Sequence, residues 1–349
     1  ADLLRRVYAE AKRAGRVGDF YLFHLGYPEV SARYNAIGSF SRITEVATRI
    51  ANQLPSEGNS AAFKEFAWRF VNIIARALVA LGRRPDYQQV RRYINDIEPL
   101  FVEYAREHLR RKGSEDWAKS VAEIAENTKE RNLPAALRGR HPEAIALMRY
   151  LQEQDLYDPV LDGLVSAFKY DKTYFDKIVS SVGPLMEKLT TGKIAELISP
   201  DYLNEADNRP IFEWLEVIRR KGIVYVGLDA LTDTTVASAV GNSMFADLVS
   251  VAGHIYKHGV ADAESGPNQT AAGLPTISMH ADEFNELIGE EFVPLLNKAG
   301  GAGFQVTAYT QTWSEVEARI GNRAKAGQVA GNFNTMIMLR VKELATAEM

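Results

Sequence analysis

Pro275-Thr276-Ile277-Ser278-Met279-His280-Ala281-Asp282-Glu283-Phe284 decides how this chain is read. An apolar-leaning stretch ends on an acidic pair. An amphipathic segment and a glycine loop follow, and a second β-rich stretch, Phe304 to Thr310, ends on Gln311. Strands separated by a helix imply parallel pairing, and ligands of open α/β sheets bind at the carboxyl ends of strands. Asp282 and Gln311 both fall at such ends. The pattern suits a nucleotide-hydrolysing core. There the Asp holds Mg2+ through water, the Glu orients and deprotonates the attacking water, and a polar residue on the next strand senses the γ-phosphate. Taken alone, the dipeptide also suits a helix start, with Asp282 as cap and Glu283 against the helix dipole.

Working outward, the segment Ile223 to Leu228 reads as a strand and Thr234 to Lys257 as a helix. Residues 260–274 read as a polar loop, Thr276 to His280 as a strand and Glu283 to Lys298 as one helix. Thr335 to Val341 is the expected last strand. Near the start, Leu3, Leu4, Val7, Tyr8 and Ala11 carry helical spacing, and Phe20 to Leu25 reads as a short buried strand. Ser41 is placed to cap a helix carrying Ile43, Val46, Ala47 and Ile50. Ser60 opens a longer helix that ends at Gly82.

From 85 to 190 the pattern is helical throughout, broken near Gly113, Pro134, Pro142 and Pro159. An all-α domain, 85–190, inserted into an α/β domain formed by 1–84 and 191–349, is the simplest account. From Arg83 through Thr190 acidic and basic side chains balance, but Arg91-Arg92 and Arg110-Arg111-Lys112 are clustered. Interleaved Asp96, Glu98, Glu103 and Glu107 favour solvated helix faces over a phosphate-binding surface.

The bulk numbers exclude more than they assign. The 349 residues, 46% apolar, suffice for a sizeable core. A net charge of −4 excludes a polycation that coats nucleic acid, and the absence of cysteine excludes disulfides and thiolate metal sites. No uninterrupted apolar run reaches the roughly 18 residues of a spanning helix. The chain begins at Ala1 inside a helical pattern, so a natural N-terminus upstream is expected. A phosphate loop needs G-x-x-x-x-G-K-S/T, and the Gly192-Lys193 pair is followed by Ile194 with no glycine five positions before. His280 shares a strand face with Asp282, but no third ligand is evident for a protein-held metal.

Taken in order, these blocks resemble the type IV coupling proteins of bacterial conjugation, the TraD/TraG-like DNA-translocating ATPases, closest to those of integrative conjugative elements. Tyr34-Asn35-Ala36-Ile37 is similar to the family's Asn-Pro-Leu segment, with Ala for Pro. Asp282-Glu283 is similar to its Walker B pair, Gln311 to Gly321 to its Gln block, and Gly331 to Asn334 to its Asn block. Glu315 stands where a second Gln is frequent, and Gly300 to Gly303 replaces a loop that often carries an Arg; Arg319 and Arg323 are alternatives for that Arg. The resemblance implies an α/β, RecA-like P-loop NTPase core, incomplete for want of its Walker A strand, with an inserted all-α domain. It implies ATP and Mg2+ as cofactors, Glu283 and Gln311 as catalytic residues and Asp282 as the residue on the hydrated metal. It further implies single-stranded DNA, a relaxase with its relaxosome and a type IV secretion channel as partners, a homo-hexamer, and a cytoplasmic position at the inner membrane through an upstream anchor. Two alternatives remain: another hexameric translocase of the same superfamily, and a non-enzymatic helical adaptor on a degenerate α/β scaffold.

Overall fold

A computed structural model describes residues 2–54, 60–156, 158–170, 172–260, 276–288, 292–339 and 346. In chain order, α1 (Asp2–Arg13) and β1 (Phe20–His24) are followed by α2 (Thr44–Ala51), α3 (Ser60–Ala80), α4 (Tyr87–Asn95), α5 (Glu98–Lys112) and α6 (Trp117–Asn127). Next come α7 (Pro142–Glu153), α8 (Pro159–Phe168), α9 (Lys172–Leu189), α10 (Gly192–Ile198) and α11 (Trp214–Arg219). Then follow β2 (Ile223–Gly227), α12 (Thr234–His258), β3 (Ile277–Ala281), α13 (Phe284–Leu287) and α14 (Phe292–Lys298). The last elements are β4 (Phe304–Ala308), α15 (Trp313–Ile320) and α16 (Arg323–Ala330). The chain divides into two compact units, Ala1–Ser41 with Glu196–Met349, and Arg42–Ala195.

The second unit is helical and includes α2 and α3, which the sequence reading had assigned to the α/β part. Their side chains explain this. On α3, Ala67, Phe70, Val71, Ile74, Ala75 and Leu78 are all fully buried, and α3 packs along α2 and α8. A helix apolar over so wide an arc belongs inside a bundle. Gly163 of α8 permits the approach: a Cβ there would stand 3.2 Å from Ile73 Cγ1. On α5, Phe101 stacks on Phe168 of α8 at 5.0 Å, and the Arg140 guanidinium covers the Phe168 ring.

The first unit carries the four strands of the described residues, as two parallel pairs. β1 lies beside β2 with Phe20 opposite Ile223 and His24 opposite Gly227. β3 lies beside β4 with Ile277 opposite Phe304 and Ala281 opposite Ala308. A single sheet joining the four strands is not formed among the described residues. Alternation on β3 and β4 turns Ile277, Met279, Phe304, Val306 and Ala308 to a core built with α12, α14 and α16, and leaves Ser278, His280, Gln305 and Thr307 exposed. By length and composition α12 is apolar enough to cross a membrane, yet 67% of its apolar window is buried within the structure, as in a core helix. Its N-terminus is capped by Asp233, whose side chain accepts from the amides of Thr235 and Val236.

Three expectations change. Ser41 does not cap α2; its hydroxyl meets that of Ser250 at 3.0 Å, while Arg42 N–H is held by Glu45 across the first turn. The helix expected from Glu283 to Lys298 leaves helical geometry at Ile288, a buried residue in extended conformation. The expected last strand is not one over residues 335–339, where Ile337 and Leu339 are exposed; Arg340 and Val341, like residues 261–274 of the expected polar loop, lie outside the described residues.

Candidate functional site

The carboxyl ends of β3 and β4 are joined by a continuation of their ladder. Tyr309 N–H donates to Ala281 O at 2.9 Å, and Phe284 N–H donates back to Tyr309 O at 3.0 Å. Between these two bonds sit Asp282 and Glu283. Parallel pairing thus sets the acidic pair beside the turn that carries Gln311, two residues past Tyr309. All three side chains are exposed.

The local backbone is unusual at Glu283. Its φ and ψ are both 48°, the left-handed region, which side-chain-bearing residues seldom occupy. Glu283 itself precedes α13 and makes no side-chain cap. Among the described residues Asp282 Oδ1 accepts only the adjacent Glu283 N–H, at 3.1 Å. The helix-capping role that the dipeptide suggested for Asp282 is therefore not filled, and its carboxylate stays at the surface. Phe284 turns inward and anchors the turn against Phe292 and Phe333 at ring distances of 6.2 Å.

His280 is turned away from metal ligation. Its Nε2 lies 3.1 Å from Ser278 Oγ and its Nδ1 lies 3.1 Å from Tyr309 Oη, with the two rings stacked. Among the described residues no three potential ligands converge on one point. An exposed carboxylate still suits a hydrated Mg2+, which keeps several waters and takes one or two protein carboxylates plus phosphate oxygens. Burial, and then the charge of Asp282, pushes the Tyr225 hydroxyl of β2 above its ordinary range, so the acidic turn is electrostatically coupled to that strand.

On the Gln311 side, Thr310 Oγ1 donates to Asn285 Oδ1 at 3.3 Å and lies 3.1 Å from Thr312 O. Thr312 caps α15 by accepting Glu315 N–H. Asn285 and Thr310 escaped the sequence reading. Gly300 to Gly303 forms the tight turn expected of it, ending at Gly303 in left-handed conformation with φ 89°. Arg319 is exposed on α15, and Arg323 lies 3.5 Å from Glu317.

A second group lies at the carboxyl ends of β1 and β2. His24 Nδ1 accepts Gly26 N–H at 3.0 Å, which leaves the ring hydrogen on Nε2. Burial lowers the His24 pKa, and the Asp229 carboxylate opposes that shift. In the helical unit some of the basic side chains are paired. Arg110 and Arg111 both meet Glu107, and Arg83 meets Glu103.

Residues 276–349 match the family TraG-D_C, described as the TraM recognition site of TraD and TraG. No curated protein and no solved structure matches the chain. The matched stretch contains β3, the acidic pair, β4 and Gln311, the residues on which the resemblance first rested. Over this segment the chain is similar to the TraD/TraG-type conjugative coupling proteins, as its sequence pattern indicated.

Proposed function

We propose that the chain is the cytosolic motor portion of a conjugative coupling protein, which uses ATP hydrolysis to move single-stranded DNA and its relaxase into a type IV secretion channel. The observation that carries this reading is the juxtaposition of Asp282-Glu283 with the Gln311 turn at the carboxyl ends of two parallel strands, inside the segment that matches TraD and TraG. In this reading the two strand pairs are parts of a RecA-like core. Asp282 holds hydrated Mg2+, Glu283 takes the proton of the attacking water and Gln311 senses the γ-phosphate. The metal, when bound with nucleotide, neutralises charge developing on the phosphoryl oxygens. In this reading a phosphate loop and a membrane anchor belong to the full-length protein, and the working assembly is a hexamer at the inner membrane. The family's description makes a TraM-like relaxosome component the partner proposed for residues 276–349.

Glu283→Gln in the full-length protein tests the reading. The amide keeps shape and hydrogen bonding but accepts no proton. Nucleotide binding should persist while turnover falls about 10²–10⁴-fold. Near-wild-type turnover would reduce Glu283 to a turn residue. The 349-residue chain alone, without a phosphate loop, should show no measurable Mg2+-dependent ATPase activity.

A further inference from the structure

Glu283 sits in a backbone conformation that persists only where the surroundings hold it. On the inner side the holding groups are the Phe284–Tyr309 backbone bond, the bond from Glu286 N–H to Glu283 O at 2.9 Å, and the buried Phe284 ring. On the outer side a hydrogen bond between side chains, Thr310 Oγ1 to Asn285 Oδ1, joins the acidic turn to the turn that carries Gln311. Thr310 is adjacent to Gln311, and Asn285 is two residues beyond Glu283. The same hydroxyl lies 3.1 Å from Thr312 O, at the cap of α15. One hydroxyl therefore spans the base turn, the sensor turn and the start of a helix.

We propose that Thr310 and Asn285 form a clasp that positions Glu283 and Gln311 relative to each other during ATP hydrolysis. Both are positioning residues, acting through the groups beside them. The inference rests on the hydrolysis reading above. An exposed hydrogen bond between two neutral side chains contributes little to folding stability. Its loss should thus spare the fold while loosening a geometry on which turnover depends steeply.

The test is steady-state ATPase kinetics in the full-length protein. Thr310→Val keeps the shape of the side chain and removes the donor. It should lower kcat by roughly tenfold or more and leave KM within about twofold, with an unchanged melting temperature. Thr310→Ser, which restores the hydroxyl, should recover most of the turnover. Asn285→Ala should also lower kcat, and the double variant should be no worse than Thr310→Val, which already removes the shared bond along with the contact to Thr312 O. Wild-type kcat in Thr310→Val, additive losses in the double variant, or a loss confined to KM would each overturn the clasp. Glu283→Gln separates the two ideas. If it is inactive while Thr310→Val is normal, the clasp alone fails. If it turns over normally, the hydrolysis reading fails and the clasp with it.

Discussion

His24 lies flat across Gly227, its register partner on the neighbouring strand. A Cβ built on Gly227 would stand 2.1 Å from His24 Cδ2 and 2.5 Å from its Nε2. No side chain fits there while the imidazole stays. Gly227→Ala should force the ring out, break the Gly26 N–H bond to Nδ1 and destabilise the α/β unit by roughly 1–3 kcal/mol. Adding His24→Ala should recover more than half of that loss, measured by chemical denaturation followed by circular dichroism.

The same imidazole predicts a pH dependence. Burial lowers its pKa, so the folded state binds fewer protons at His24 than the unfolded state does. Its contribution to stability is complete above the ordinary value of 6.5 and is lost as pH falls through the lowered one. Protonation also removes the acceptor for Gly26 N–H. His24→Asn offers an amide oxygen to that N–H and does not titrate. Its stability should vary less between about pH 5 and 7 than that of the wild type.

Glu283→Gly separates fold from function at one position. Glycine adopts the left-handed region without steric cost, so the variant should be as stable or more stable, by roughly 0.5–1 kcal/mol. In the full-length protein it should lack ATPase activity. A clear fall in melting temperature would mean that the Glu283 side chain itself holds the turn.

In the helical unit, Asp158 serves several partners. Its Oδ1 accepts the amides of Val160 and Leu161 at 2.8 Å, capping α8. Its Oδ2 accepts Tyr104 Oη–H at 3.0 Å and meets His108 Nδ1 at 3.1 Å. Burial and this carboxylate push the Tyr104 hydroxyl up to about 12. Burial alone would raise the Asp158 pKa, but the Leu161 amide, the Tyr104 hydroxyl and the Val160 amide together hold it below its ordinary value. Asp158→Ala should cost about 2–4 kcal/mol, from the lost cap and the stranded partners. Equilibrium urea unfolding checks this, and the gap from wild type should begin to narrow as pH falls below the ordinary carboxylate value of 3.8 and narrow further as it passes the lowered one.

The strands that form were legible, because their apolar runs are short and bounded by turn residues, although the same reasoning placed a strand where none forms over residues 335–339. Phe20, Ile223 and Phe304 begin strands where the pattern began them. Less visible was what tertiary packing decides. The wide apolar arc of α3 was a sign of bundle packing, but its place in the chain, before the helical run that starts at 85, hid that sign. Ser41 reads as a cap, yet a hydroxyl more than 200 positions away claims it. At the site, order along the chain pointed to Asp282, Glu283 and Gln311. The left-handed turn at Glu283 and the Thr310 bond to Asn285 depend on backbone angles and on a neighbouring strand, which no periodicity reports.

Pairing β1 with β2 brings Phe20 beside Ile223, with the whole helical unit threaded between them. Closing so long a loop is entropically slow for a flexible chain, and the cost grows with the logarithm of its length. If residues 42–195 collapse first, the floppy chain to be closed shrinks to the segments flanking that compact body. Assembly of the α/β unit would then wait on the helical one. A destabilising change deep in the bundle would show itself as slow refolding of the strands.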